Sequence, residues 1–181
     1  MERAQTKQIL QQALFYQEAD HLQVSLHGEV DANTRFANNT ITQNTAQKDA
    51  ALGVTAAFGQ QVGHASTNRL DRDSLREVVQ RAEQIAQSTA PDTEYLPPVG
   101  PQSYLHVDAY DHATAEVTPK ARAEMIQKAI QKCEVQGLDL AGHFSTGWRF
   151  STIANSKGVI AYHRQSSVSY TNTVMSSTSS G

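Results

Sequence analysis

The chain has 181 residues, enough for one domain of ordinary size, and 39% of them are hydrophobic, enough to bury a core. Its 15 basic and 18 acidic residues give a formal net charge of −3 and are scattered along the sequence, which argues against a nucleic-acid or anionic-membrane partner. Without a long apolar run or a second cysteine beside Cys133, the sequence predicts a cytoplasmic protein with no membrane span, no signal peptide and no internal disulfide.

The first segment places apolar residues at helical spacing between glutamines and predicts an amphipathic helix over roughly 2–18. From Leu22 the period falls to two, so that Leu22, Val24 and Leu26 share one face of the chain. This alternation predicts a half-buried strand after the helix.

The pair Asn38-Asn39 separates two short runs of strand-forming residues, Thr34–Ala37 and Thr40–Gln43. Asparagine tolerates positive φ, which suits a tight hairpin turn that places Phe36 opposite Ile41.

Alternation returns in Leu52–Phe58, and Gly59 and its neighbours can turn the chain into a strand over Val62–Thr67. We therefore expect a four- or five-stranded antiparallel meander in the first part of the chain.

Two further helices are predicted from their caps and apolar stripes. Asp71 is an N-cap residue for a helix whose apolar face consists of Leu75, Val78, Val79, Ala82, Ile85 and Ala86. Thr118 and Pro119 form an N-cap and N1 pair for the next helix, whose stripe consists of Met125, Ile126, Ala129, Ile130 and Cys133. Gly137 supplies the stop of that helix.

A long Pro-rich connection is predicted over 89–111, because prolines and a glycine crowd its middle and break regular structure. After it, short strands alternate with turns, and the predicted strands are Leu140–Trp148, Phe150–Ala154, Val159–Arg164 and Val168–Met175. The expected fold class is α+β, an antiparallel β-sheet meander with amphipathic helices packed on it and further strands at the C-terminal end. We expect one domain, 1–181, with possible lobes 1–88 and 112–181.

The histidines do not have the spacing of a zinc-binding helix. A helical zinc site needs two imidazoles one turn apart with a carboxylate nearby, and no His-Glu pair occurs in the sequence. The best remaining group, His106, Asp108, Asp111 and His112, lies in the connection, where a solvated loop is the favoured interpretation.

Other catalytic patterns are also missing. The serines form no Gly-x-Ser-x-Gly elbow, and Cys133 falls on the apolar face of a predicted helix, which favours a core role for the thiol. Arg35, Arg149 and Arg164 could anchor a peptide carboxylate, although solvated strand arginines are the favoured alternative.

Eight stretches stand out in chain order: Val24–Leu26, Thr34–Ile41, Leu52–Val54, Gly63–Asn68, Leu75–Ala86, Phe144–Gly147, Ala154–Val159 and Ala161–His163. This ordered set resembles the amino-terminal domain of the TldD/PmbA family, zinc metallopeptidases once described as modulators of DNA gyrase. The resemblance runs from Val24 to His163 and so spans most of the chain.

Members of this family are about twice as long and hold their metal on a His-Glu-x-x-x-His helix after this domain. The resemblance therefore implies no cofactor in this chain and a zinc ion in a C-terminal domain beyond it, so that no catalytic residue carries over. It also implies a role for this domain in forming a homo- or heterodimer with a family subunit and in admitting a peptide substrate. The candidates for contact with a peptide or partner are Arg35, Asn38, Asn39, Asn155, Ser156, His163 and Arg164.

Two functions from different classes remain open, and a third, a small hydrolase with a loop metal site at His106, Asp108 and His112, is disfavoured. The first is the substrate-facing and dimer-forming domain of a TldD/PmbA-type metallopeptidase, inert by itself and followed by the metal-bearing domain. The second is a freestanding protein-interaction module that uses an exposed sheet edge, with the serine-rich end 176–181 as a natural tail rather than an interrupted loop.

Overall fold

The computed structural model describes residues 1–179, and Ser180 and Gly181 at the end of the serine-rich segment lie outside the described residues. The helices are α1 (Arg3–Phe15), α2 (Arg72–Ser88), α3 (His112–Ala115) and α4 (Pro119–Glu134). The strands are β1 (His21–Ala37), β2 (Thr40–Phe58), β3 (Gln61–Thr67), β4 (Asp139–Asn155) and β5 (Ile160–Met175).

The five strands form one sheet in the order β3-β2-β1-β4-β5. β2 and β3 pair antiparallel from Leu52 opposite Thr67 to Phe58 opposite Gln61. The first three strands are the predicted meander, and β4 and β5 extend the same sheet on the other side of β1. The predicted α+β class with an antiparallel sheet is therefore confirmed.

The strands are longer than the sequence pattern predicts. The predicted runs at Leu22 and Thr34–Ala37 belong to one strand, β1, and those at Thr40–Gln43 and Leu52–Phe58 belong to β2. The strands predicted over Leu140–Trp148 and Phe150–Ala154 are one strand, β4, and those predicted over Val159–Arg164 and Val168–Met175 are one strand, β5.

The prediction of breaks was wrong for two reasons. In β2 the residues between the two predicted runs are exposed on both faces and show no hydrophobic period. In β1 and β4 one face stays at least partly buried, but small or polar residues such as Gly28, Thr34 and Thr146 occupy it and interrupt the hydrophobic pattern.

Asn38 and Asn39 form the predicted hairpin turn between β1 and β2. Their φ angles are 48° and 57°, in the left-handed region that asparagine tolerates. Phe36 is buried, and Ile41 packs against the same apolar cluster.

The two long predicted helices begin where their caps indicate. The Asp71 side chain accepts a hydrogen bond from Ser74 N in α2, and the Thr118 side chain accepts one from Ala121 N in α4. Two stripe residues are placed wrongly by the pattern, because Ile85 is 40% exposed and Met125 is 51% exposed. Both lie at the margin of an apolar face that is narrower than the pattern indicates.

The chain forms two compact units that are interleaved along the sequence. Unit 1 consists of 1–28, 49–107 and 150–163, and unit 2 consists of 29–48, 108–149 and 164–181. β1, β2, β4 and β5 each contribute residues to both units.

Each unit buries its own apolar side chains. In unit 1, the predicted alternation is confirmed, because Leu22, Val24 and Leu26 are fully buried. In unit 2, α4 packs on the sheet through a cluster made of Phe36, Ile126, Ile130, Leu140 and Phe144. Cys133 is partly buried against this second cluster, as the apolar stripe predicts.

The connection between α2 and α3 lacks helices and strands, as predicted, apart from an isolated bridge between Ala109 and Gln165. Among the described residues, none of the helices combines the length and the apolar character needed to cross a membrane.

Candidate functional site

Part of β2 in unit 2 forms an open edge of the sheet. The pairing of β2 with β3 ends at Leu52, so β3 does not cover the earlier residues of β2. We call Thr40–Ala46 the edge segment; apart from partly buried Ile41, all of its side chains are exposed. Such an edge can hydrogen-bond an extended chain through its backbone.

The hairpin end of the edge segment is fixed by the side chain of Asn39. Its Nδ2 donates to Leu138 O over 2.9 Å, and its Oδ1 accepts from Leu140 N over 2.8 Å. Asn39 thus joins the turn to the start of β4, and the edge segment begins from a rigid point.

The middle of the edge segment is hydrogen-bonded to a buried arginine of α4. Arg122 is 1% exposed, and its Nη2 donates to Asn44 Oδ1 over 3.1 Å. Asn44 Oδ1 also accepts from Thr34 Oγ1 over 3.1 Å. These bonds connect the edge segment to β1 and α4.

The acceptors found around Arg122 in the described residues are all neutral. Nε donates to Thr34 Oγ1 over 3.1 Å, and Nη1 donates to Thr146 Oγ1 over 3.2 Å and to Val117 O over 2.8 Å. Burial lowers the pKa of the Arg122 guanidinium, and the negative charge of Asp31 opposes that shift. Because an arginine stays protonated in proteins, unit 2 carries a buried positive charge behind the edge segment.

Four of the predicted contact candidates lie in unit 2. Arg35 and Asn38 are exposed, whereas the side-chain atoms of Asn39 are engaged in the turn. The Arg164 guanidinium lies 3.5 Å from the centre of the Tyr110 ring, in a cation–π contact.

The other three candidates lie in unit 1. Asn155 is 4% exposed, and its Oδ1 accepts from the backbone N of Lys157 and of Val159, as in a turn anchor. The Ser156 hydroxyl accepts from Leu22 N over 3.2 Å. His163 is exposed on β5. A contact role for any of the seven candidates stays a prediction.

The loop group of His106, Asp108, Asp111 and His112 is not gathered into a metal site. Over residues 1–179, no set of three or more His, Cys, Asp or Glu side chains is placed to hold a metal ion. The Asp111 side chain instead caps α3 by accepting from Thr114 N. A hydrogen bond from the Thr114 side chain, together with this backbone bond, lowers the pKa of Asp111.

Arg122 is the residue of this site that the sequence analysis missed. It stands four residues before Ile126 and eight before Ile130, on the stripe that packs against the sheet. A charged residue at an apolar position of a helix was the available signal.

Residues 22–86 match the family model described as PmbA/TldA metallopeptidase domain 1. No curated protein sequence matches the chain significantly.

Three crystal structures share the fold. TldE from Thermococcus kodakarensis superposes with a TM-score of 0.81 at 14% identity, over 97% of this chain and 40% of that protein. A protein described as a modulator of DNA gyrase from Bacteroides thetaiotaomicron VPI-5482 gives 0.81 at 17% identity, over 96% of this chain and 42% of that one. A second protein described in this way, from Thermotoga maritima MSB8, superposes with a TM-score of 0.76 at 15% identity, over 86% of this chain and 36% of that protein.

The chain thus spans about two fifths of the length of the solved structures that it matches. The match of residues 22–86 to the family model and the shared fold bear out the resemblance of the chain to the amino-terminal domain of the TldD/PmbA family.

Proposed function

We propose that this chain is the substrate-facing and dimer-forming domain of a TldD/PmbA-type metallopeptidase that acts in proteolysis or peptide maturation in the cytoplasm. The family model that matches residues 22–86 describes the first domain of a metallopeptidase. The observation that carries the substrate-facing role is the edge segment, a stretch of β2 that β3 leaves uncovered.

An extended peptide can add to such an edge as a further strand. The backbone supplies the hydrogen bonds, so binding has little sequence preference, which suits a peptidase that accepts unfolded chains. The bonds made by Asn39 and Asn44 hold the edge segment in place before a peptide arrives. Less conformational entropy is then lost on binding.

The chemistry of peptide cleavage is assigned elsewhere in this proposal. The resemblance implies zinc as the metal of the full-length protein. In this proposal zinc is held by another domain or subunit, and this chain by itself is inactive.

Amide hydrogen exchange tests the peptide-binding role. An unstructured twelve-residue peptide rich in Thr and Val is added to the chain, and exchange is followed residue by residue by NMR. Alternate amides of the edge segment should become protected, because successive N–H groups of a strand point to opposite sides. Protection that is absent from the edge segment, or that lacks alternation, would contradict the proposal.

Two neighbouring proline variants provide a matched control. Thr45→Pro and Ala46→Pro each remove one backbone N–H, and only one of the two groups points away from β1. The variant that loses the outward N–H should stay folded and lose peptide protection, whereas the other should lose stability. Equal peptide binding by both folded variants would count against strand addition.

A further inference from the structure

A shallow, solvent-open groove of about 540 Å³ lies along α1 in unit 1. Its lining consists of Gln8, Gln11, Gln12, Phe15 and Arg72. The four residues from α1 have the spacing i, i+3, i+4 and i+7 and so form one stripe of the helix. The core side of α1 carries the buried residues Thr6, Leu10 and Ala13.

Arg72 is oriented by an aromatic side chain. Its Nε donates to the hydroxyl of Tyr16 over 3.0 Å. The Tyr16 ring is held in turn by the guanidinium of Arg76, 5.0 Å from the ring centre, and by an edge-to-face contact with Phe15 at 5.7 Å. The two terminal nitrogens of Arg72 make no ion pair with residues 1–179. A fixed guanidinium with both terminal nitrogens available is suited to bidentate binding of a carboxylate.

The three glutamines complement a peptide backbone. Each glutamine side-chain amide offers an oxygen acceptor and two N–H donors. These groups can pair with the N–H and the C=O of a main-chain peptide unit. The side-chain amides of Gln8, Gln11 and Gln12 make no hydrogen bond within the described part of the chain. Phe15 beside them is 77% exposed and offers an apolar contact for a side chain.

The wall of the groove is anchored through Glu83 on α2. This buried carboxylate accepts hydrogen bonds from Glu18 N over 2.6 Å and from Ala19 N over 2.9 Å. The chain that leaves α1 is therefore fixed to α2, the helix that carries Arg72. The backbones that carry the lining residues are thus held together before a ligand binds, which favours affinity.

We infer that this groove binds the carboxyl terminus of an extended peptide. Arg72 receives the terminal carboxylate, the glutamine amides pair with the preceding main-chain groups, and Phe15 contacts one side chain. The inference does not depend on strand addition at the edge segment, because it concerns different residues in unit 1.

Fluorescence anisotropy with the pentapeptide Ala-Ala-Leu-Ala-Ala, labelled at its amino end, tests this inference. The free acid should bind at least about tenfold more tightly than the same peptide with a C-terminal amide, because only the acid can pair with Arg72. Arg72→Gln should reduce binding of the free acid to the level of the amide.

Arg69→Gln is the matched control, because Arg69 is an exposed arginine three residues away that pairs with Asp71 at 3.4 Å. It should keep the preference for the free acid, whereas Phe15→Ala should weaken both peptides by a similar factor. Circular dichroism melting curves establish that each variant is folded.

Several outcomes would overturn the inference: no binding by the unmodified chain, equal affinity for acid and amide, or equal losses in Arg72→Gln and Arg69→Gln. Equal competition by an amidated peptide carrying one glutamate side chain would show recognition of an acidic side chain instead, and would also overturn it.

Discussion

Arg122 Nε donates a hydrogen bond to Thr34 Oγ1 over 3.1 Å, which joins α4 to β1 inside unit 2. Both residues are 1% exposed. The stability of a buried cation that is hydrogen-bonded only to neutral oxygens depends on each of these acceptors. If one acceptor is lost, a buried N–H donor is left without a partner from the protein or from water.

We therefore expect Thr34→Val to lower the free energy of unfolding by about 1–3 kcal/mol, the range for an unsatisfied buried donor. Urea unfolding followed by circular dichroism measures this change. In the matched control, Thr45→Val replaces an exposed residue of β2 and should change the free energy of unfolding by less than about 0.5 kcal/mol.

A double-mutant cycle separates the hydrogen bond from the packing of Thr34. In an Arg122→Met background the donor is gone, so Thr34→Val should cost less than it does in the unmodified chain. An equal cost in both backgrounds would show that the Arg122–Thr34 bond contributes nothing to stability.

The hairpin turn gives a second prediction, because its two asparagines have similar φ angles but different side-chain contacts. Asn39→Gly keeps the backbone freedom but removes the bonds to Leu138 O and Leu140 N, so we expect a loss of about 1–2 kcal/mol. Asn38→Gly should change stability by less than about 0.5 kcal/mol. Thermal unfolding of the two variants checks this order, and a larger loss for Asn38→Gly would contradict it.

The cap of α2 makes stability depend on pH. Hydrogen bonds from the backbone and side chain of Ser74 lower the pKa of Asp71 below its ordinary value of 3.8. A carboxylate whose pKa is depressed in the folded state stabilises that state above the unfolded pKa, and this stabilisation is lost as pH falls through the folded pKa.

Asp71→Asn should therefore be less stable than the unmodified chain at pH 7, and the gap should close below about pH 4, as expected for a group with that reference pKa. Urea titrations from pH 7 to pH 2.5 measure the gap. Ser74→Ala removes one of the two hydrogen bonds to Asp71. In a Ser74→Ala background, the loss of stability caused by Asp71→Asn should therefore be smaller and should disappear at a higher pH. A gap that stays constant with pH would refute the role of the charge.

The contact between β3 and α2 gives the fourth prediction. A Cβ atom at Gly63 would overlap the carbonyl oxygen of Ala82 and the backbone nitrogen of Ala86. We expect Gly63→Ala to cost more than about 2 kcal/mol, because the helix must move away from the strand.

Gly53→Ala is the control on the neighbouring strand, since its Cβ would meet only Ser25 Oγ at 3.1 Å, an atom that can rotate away. It should cost less than about 1 kcal/mol in chemical unfolding experiments. Similar losses for the two variants would show that the close approach of α2 to β3 is not what limits residue 63.

Much of the fold follows from local patterns. Helix caps and strand alternation each involve residues that are close in sequence, so the order of the elements along the chain can be predicted. The caps are Asp71 and Thr118, and the alternating residues are Leu22, Val24 and Leu26. The continuity of the strands cannot, because residues such as those from Thr42 to Ala46 are exposed and leave no hydrophobic period.

The candidate sites were less predictable than the fold. The turn at Asn38 and Asn39 has a local signature, and it correctly locates one end of the edge segment. The uncovered length of β2 depends on where β3 stops, and the groove depends on how Tyr16 meets Arg72 after a loop and three strands. Both are results of tertiary packing, which single-sequence patterns do not contain.

The interleaving of the two units determines what a protease or a gene truncation would produce. A single cut in the exposed connection near Gln102 gives two fragments, and each contains strand residues of both units. Neither fragment holds a complete hydrophobic core, so each should be unfolded when expressed by itself and should regain structure when mixed with the other. Evolution could not transplant either unit as a contiguous cassette, and the pair must be inherited as one gene segment.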